Sequence, residues 1–468
     1  MNEFLRQHAT TVVSRLKAGE ITPFDCLDAL EARIAEVDPK VNALPTLCFD
    51  RARKEAKSLM AKPVAERGLL CGLPIPIKDL NDVKGVRSTQ GSPIFAERIA
   101  EQSDVLVEHI EREGGLVYAM SNTPEFGAGA NTFNEVFGTT LNPWNRTRSA
   151  AGSSGGAAVA LATGMAWVAH GSDMGGSLRN PASFCGVVGM RPSPGRVAVS
   201  VFSKIDGTLG LDGPMARNVE DLALLFDAMV GAEPGDPLSL PKEDISYLAA
   251  AQAKRKPGRV AVSRDLGITP VDPEVAELVM KAAKRLEAEG VIVEEAHPDF
   301  SEAHECFQVL RALSFATGMK SLLENHRDKL KPEVVWNIEK GLKLTGAEIA
   351  TAEAQRGAMF RRTLEFFKTY DLLLCPATIV AAYPVEQRYL AECNGYKFAT
   401  YVDWLAIVYA ITNVSCPAIS IPMGFTAENL PVGLQIVAPP RGEAALLGGA
   451  GFIESLLGLR DITPIDPR

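Results

Sequence analysis

Two small-residue loops and one lysine carry the chemistry this sequence could perform. The loops are Gly152-Ser153-Ser154-Gly155-Gly156 and Gly175-Gly176-Ser177, both inside the stretch Arg148–Gly186. The lysine is Lys78, which ends the apolar run Leu73-Pro74-Ile75-Pro76-Ile77. Glycine lets backbone N–H groups converge on one point and lets a ligand come close to the main chain. A serine held in such a loop becomes a nucleophile when a base is near. One such loop alone reads as a turn or a phosphate-binding nest. Two at a fixed separation, with an isolated lysine upstream, are far more specific.

The chemistry to test against them is acyl transfer. It needs a nucleophile, a base that also protonates the leaving group, and donors for the oxyanion. Histidine is the common base, and His170 is the only one near the loops. It sits inside the apolar run Ala166-Trp167-Val168-Ala169, seven residues before Ser177, and reads as a packed or locally hydrogen-bonded side chain. That leaves lysine. A lysine acts as a base only when neutral, so its pKa must fall from about 10.4 to about 7–8. The run before Lys78 suits a buried site, whereas Lys84, in the polar Asn81–Gly85 turn, reads as solvated. Ser177 is the nucleophile candidate, because its own N–H and those of Met174, Gly175 and Gly176 can converge on one oxyanion position. Asp173 and Arg179 flank it and read as an ion pair that braces the loop.

At this point the chain resembles the amidase signature family of serine hydrolases. The residues that carry the resemblance are PIPIKDLNDVKG, NTPEFG, AGSSGGAAVALATG and GSDMGGSLRNPASFCG, followed by GPMARNVEDLALLFDAM and PVGLQIVAPP. They span most of the chain. The resemblance implies that Ser177 forms the acyl-enzyme and that Ser153 is the bridging serine, preceded by a cis peptide bond. It implies Lys78 as the general base. Ser154 competes with Ser153 for the bridging place, and is otherwise a hydrogen-bond partner of Lys78. Phe126, in NTPEFG, lines up with a pocket-wall residue, with plain core packing as the alternative. Arg179 has a second reading as a contact for a substrate carboxylate. Three positions depart from the usual pattern: Ala151 stands in place of glycine, Met174 in place of threonine, and Asn180 in place of an apolar residue.

The activity implied is hydrolysis of a carboxylic amide to acid and amine or ammonia. The alternative is a glutaminase subunit of a tRNA-dependent amidotransferase, and a third class is a non-catalytic binding module on the same fold. The expected partner is a small-molecule amide, with no nucleic acid, no membrane, no cofactor and no metal. A homodimer is left open.

Composition agrees with this. The chain has 468 residues, 46% hydrophobic and 22% charged, with a formal net charge of −9. An acidic chain without a dense Lys/Arg run does not build a nucleic-acid groove. The start, Met1 to Arg6, lacks the apolar core of a signal peptide. Ala157–Val168 is too short to span a bilayer and is broken by Gly164. Eight cysteines without paired spacing read as free thiols of a cytoplasmic protein. The six histidines form no ligand pair at helical spacing.

The elements that must position these residues follow from periodicity. Strands are expected at Leu73–Ile77, Leu116–Met120, Ala166–Gly171, Gly258–Val262, Val291–Glu294, Leu372–Leu374, Ala418–Pro422 and Gly433–Val437. Helices are expected at Phe24–Val37, ended by Pro39, and at Asp50–Met60, Ser103–Gly114, Gly155–Thr163, Asn218–Met229, Asp272–Glu289 and Glu443–Leu457. Residues 301–368 read as mostly helical, and Ile379–Tyr401 as a loop region over the active site. The fold class is α/β: a single large domain, 1–468, with a central mixed β-sheet covered by helices on both faces. Residues 1–65 form a helical segment that wraps the core. Substrate contacts are expected from Gly127–Asn134 and from a variable region at about 300–400, with Phe307, Phe315, Trp336, Tyr396 and Trp404 as aromatic candidates.

Overall fold

The central strands are apolar on both faces. In the computed structural model, which describes residues 2–199 and 207–468, Val260 and Val262 enter one hydrophobic core and Ala261 a second. Leu372 and Leu374 likewise enter the first, Leu373 and Cys375 the second. Successive side chains of a strand point to opposite faces, so a strand buried on both reads as an unbroken apolar run. The sheet therefore lies between two cores, each closed by helices.

Among the described residues eight strands form this sheet, in the order Ile292–Glu295, Arg259–Val262, Leu372–Pro376, Pro431–Val437, Ala418–Phe425, Val188–Arg191, Leu211–Ala216, Val168–Asp173. The first three are parallel and the rest pair antiparallel, so the sheet is mixed. A smaller sheet places Leu116–Ser121 between Thr46–Leu47 and Pro74–Lys78. Pro74 and Pro76 lack a backbone N–H, which an edge strand tolerates. That edge strand lies against the end of Val168–Asp173, where the Lys78 N–H donates to His170 Nδ1 (3.2 Å). The junction of the two sheets is where Lys78 meets the glycine-serine loops.

Two of the eight strands, Val188–Arg191 and Leu211–Ala216, are not expected from sequence. Gly189, Gly213 and Pro214 read locally as breakers, and cross-strand pairing with Ala418–Phe425 and Val168–Asp173 overrides that preference. The first long helix also differs from expectation. It runs Pro23–Val41 with Pro39 inside its last turn, and it ends at Asn42 in the left-handed conformation. The last turn is held from outside: the Asp38 carboxylate accepts from the Ala43 and Leu44 N–H groups, and Asn42 Nδ2 donates to Phe137 O. Asn218 caps Val219–Met229 as expected, accepting from the Asp221 N–H at 2.8 Å. The polar region after 300 resolves into three helices, Ala303–His326, Pro332–Leu342 and Gly346–Phe366. Among the described residues no helix is long and apolar enough to cross a membrane.

Helix Gly155–Ala162 is buried along its whole length. It starts directly from the first glycine-serine loop, and Gly156 lies against the end of the Leu116–Ser121 strand. A Cβ there would stand 2.4 Å from Asn122 N and 2.6 Å from Ala43 O, both main-chain atoms. Gly318, in the exposed part of Ala303–His326, has nothing within 4 Å of its Cβ position. The two glycines should respond oppositely to alanine. Gly156→Ala is expected to lose about 1–3 kcal/mol through overpacking. Gly318→Ala should gain about 0.5–1 kcal/mol through helix propensity. Denaturant unfolding of both variants checks this, and equal responses would contradict the packing described.

Candidate active site

Lys78 is fully buried, and its neighbours are almost all hydroxyls. Its Nζ lies 2.7 Å from Ser153 Oγ, 2.9 Å from Ser154 Oγ and 3.0 Å from Ser172 Oγ. The edge strand delivers the lysine from one side. The turn into Gly155–Ala162 delivers Ser153 and Ser154, and the end of Val168–Asp173 delivers Ser172. Gly171 makes the fit possible: a Cβ there would come 2.8 Å from Ser154 Oγ and 2.8 Å from Leu178 Cδ2. The Gly152–Ser153 peptide bond is cis.

Burial pushes the Lys78 pKa down to about 7, against the opposing pull of Asp212 and Asp173. Desolvation disfavours the ammonium form and the two carboxylates favour it. Neither carboxylate touches the amine. Asp212 instead pairs with His170 Nε2 at 3.1 Å. His170 is thus engaged at both ring nitrogens, by the Lys78 N–H and by Asp212, as a packed, hydrogen-bonded side chain.

The second loop is organised by Asp173. Its carboxylate is buried, and burial alone would raise its pKa, yet Arg179 and Arg191 hold it well below the usual carboxylate range. Arg179 Nε and Nη2 donate to its two oxygens at 3.0 and 2.8 Å. The Gly176 and Leu178 N–H groups donate to the same carboxylate at 2.9 and 3.1 Å. This corrects one expectation: the Gly176 N–H is taken by Asp173 and leaves the set of oxyanion donors. The N–H groups of Met174, Gly175 and Ser177 have no acceptor among the described residues. Ser177 is partly exposed in the cavity, and its carbonyl accepts from the Ser154 N–H at 3.3 Å, tying the two loops together.

Arg179 braces the loop and does not reach the cavity. Its remaining nitrogen donates to Val408 O and Gln435 Oε1 at 2.9 and 2.6 Å. Beside it, both polar atoms of the Asn180 amide are buried without a hydrogen-bond partner among the described residues.

A cavity of about 400 Å³ opens over Ser153, Ser172, Met174, Gly175 and Ser177. Phe126 lines it, held at a positive φ of 50° with its N–H donating to Gln90 O, and its ring meets Phe95 edge-on at 6.1 Å. Of the aromatic candidates, Phe307 and Phe315 line the cavity. The other three do not. Trp404 packs on Tyr383, Trp336 sits behind Tyr401, and Tyr396 is 58% exposed on a small hairpin. The segment from Ile379 therefore does not cover the site; only its end, Tyr401, reaches the cavity. It is drawn away by pairing with Thr147–Ser149, through Ser149 N–H to Tyr383 O and Val385 N–H to Thr147 O.

Sequence reasoning missed Ser172, Asp212, Arg191, Arg311, Arg356 and Tyr401. Ser172, next to Asp173, had a usable signal in its place within the second motif. Arg191 ends the strand Val188–Arg191, which the sequence did not reveal, and Arg311 and Arg356 lie in the expected 300–400 region with nothing local to single them out. Among the described residues no group of three or more His, Cys, Asp or Glu side chains is placed to hold a metal ion.

Comparison with known proteins gives the family. The family profile described as Amidase matches residues 25–447. An acylamidase of Rhodococcus erythropolis is 34% identical over 463 residues, covering 98% of this chain and 97% of its own. A glutamyl-tRNA(Gln) amidotransferase subunit of Halothermothrix orenii is 31% identical, covering 96% and 97%. The crystal structure of a bacterial aryl acylamidase of the amidase signature family superposes with a TM-score of 0.88 at 25% identity, covering 98% of this chain and 99% of that one. With its profile match, its mixed sheet and its serine-lined lysine, this chain belongs to the amidase family, hydrolases of carbon–nitrogen bonds in linear amides.

Proposed function

We propose that the chain hydrolyses a carboxylic amide to acid and amine or ammonia, with Ser177 as nucleophile, Ser153 as proton bridge and Lys78 as general base. The observation that carries this is the buried Lys78 amine, 2.7 Å from Ser153 Oγ with a pKa near 7. A neutral amine has two N–H donors and one lone pair. The donors serve Ser154 and Ser172, and the lone pair faces the Ser153 hydroxyl.

Lys78 takes the Ser153 proton as Ser153 takes that of Ser177, and Ser177 Oγ bonds to the amide carbon. The carbonyl oxygen becomes an oxyanion beside the N–H groups of Met174, Gly175 and Ser177, fixed dipoles that need no reorganisation. The carbon–nitrogen bond breaks as the relay returns its proton to the leaving amine. Water then cleaves the ester by the same relay and releases the acid. Asp173 and Arg179 hold the loop throughout. The eight cysteines are unpaired, which supports a reducing, cytoplasmic setting.

The alternative is the glutaminase subunit, favoured by the 31% likeness to an amidotransferase component. That reading requires a partner chain. Turnover of a simple amide by the isolated chain decides for the amidase.

Two measurements test the chemistry. Below about pH 7 Lys78 is protonated and its lone pair is lost. The value of kcat/KM should then fall toward tenfold per unit, and it should hold a plateau above pH 7, about tenfold being the limit for one essential proton. A profile flat down to pH 5 contradicts a lysine base.

The serines separate by labelling. Ser177→Ala should remove turnover, a loss on the order of 10⁶-fold, and all reaction with a fluorophosphonate. Ser153→Ala should cripple turnover yet leave slow labelling at Ser177. Peptide mapping that finds the adduct on Ser153 or Ser154 reverses the assignment.

A further inference from the structure

Arg311 reaches the same cavity from helix Ala303–His326, and it is only 7% exposed. Its Nη2 donates to the Tyr401 hydroxyl at 2.9 Å, and its Nη1 lies 3.2 Å from Met174 Sδ. The guanidinium stands 4.6 Å from the Phe315 ring centre. Every one of these partners is neutral. Arginine has five N–H donors and no acceptor. Two of the donors are used, Nε has no partner, and no carboxylate pairs with the group among the described residues.

The other charged groups at the cavity wall have their own partners. Asp173 pairs with Arg179 and Arg191, and Asp212 accepts a hydrogen bond from His170 Nε2. Arg356 bonds to Asn413 O, Thr208 Oγ1 and Ser415 Oγ, and Glu353, one helical turn before it, offsets its charge. Among the described residues Arg311 has no anionic counterpart. A buried cation left in that state is costly, and the cost is relieved by an anion that enters the cavity. The planar fork of the guanidinium fits a carboxylate through two parallel hydrogen bonds.

We propose that Arg311 anchors a carboxylate of the substrate, so that the preferred substrate is an amide bearing an acid group on a short spacer. This rests on reading the cavity as the site of amide hydrolysis. The spacer is short because Met174, which Arg311 touches, is one of the expected oxyanion donors. The anchored carboxylate therefore lies within about one side-chain length of the reacting carbonyl. Phe307 and Phe315 supply the apolar wall between them.

The test compares amido acids with their neutral partners of equal chain length: succinamic acid with butanamide, glutaramic acid with pentanamide, adipamic acid with hexanamide. Affinity is read by calorimetry on the Ser177→Ala chain, and kcat/KM on the wild type. The acid of at least one pair should bind on the order of 10–100-fold tighter than its partner, the range of a charge-assisted hydrogen-bond pair. Arg311→Met should abolish that preference. A merely structural Arg311, acting through Met174 and Tyr401, would instead lower both members of a pair and keep their ratio, which overturns the proposal. So does equal binding by the wild type, or binding of none of the six. If Arg311→Met does not fold, the wild-type preference and its weakening with added salt decide the matter. If the acids bind preferentially but nothing is hydrolysed, the anchor stands and the amidase chemistry fails.

Discussion

One buried carboxylate organises the reactive part of this molecule. Asp173 accepts from two arginine nitrogens and from the N–H groups of Gly176 and Leu178. Its charge is tolerated inside the protein only because Arg179 and Arg191 surround it, and each arginine is held in turn. Arg179 reaches Gln435 and Val408, while Arg191 donates to Leu209 O and to the Asp173 carbonyl. The loop that carries Ser177 is thus tied to the Pro431–Val437 strand and to helix Ala406–Asn413. Removing one partner from such a network leaves a charge buried without compensation, which costs more than the network itself contributes.

The second constraint is electrostatic and runs through the same residue. Lys78 is stripped of water, which lowers its pKa, while Asp173 and Asp212 pull it back up. The outcome near 7 is a balance. Hydroxyls rather than carboxylates form the contact shell, so the amine is hydrogen-bonded without being locked in its charged form. Had either carboxylate moved into contact, the ion pair would have held the proton. The engagement of Asp212 by His170, and of Asp173 by the arginines, keeps both at a distance. The histidine therefore matters to the site through the hydrogen bonds at its two ring nitrogens.

The cavity wall is assembled from parts of the chain remote from both motifs. Helices Ala303–His326 and Gly346–Phe366 supply its aromatic and cationic side chains, and the Phe126 turn supplies the opposite wall. Relatives with an acylamidase or amidotransferase name align with nearly the whole of this chain.

Much of this was legible in the sequence. Glycine loops, an isolated lysine after an apolar run, and an Asp–Arg pair around a serine are local patterns whose chemistry follows from residue type. They mark Lys78, Ser153, Ser154, Ser177, Asp173 and Arg179 as candidates without any knowledge of the fold. Helices with strong caps, such as the one opened by Asn218, are equally legible. Four things were decided only in three dimensions. The Gly- and Pro-containing strands Val188–Arg191 and Leu211–Ala216 exist through cross-strand pairing that no local propensity encodes. Helix Pro23–Val41 continues past Pro39 because distant backbone anchors its end. Arg179 is fixed in place by Val408 O and Gln435 Oε1, which only the fold brings within reach of its Nη1. The place of Arg311 beside Met174 depends on a helix more than a hundred residues away in sequence. Local pattern specifies which groups can react; long-range packing alone decides which of them lose water, which find counter-charges, and which are left facing a substrate.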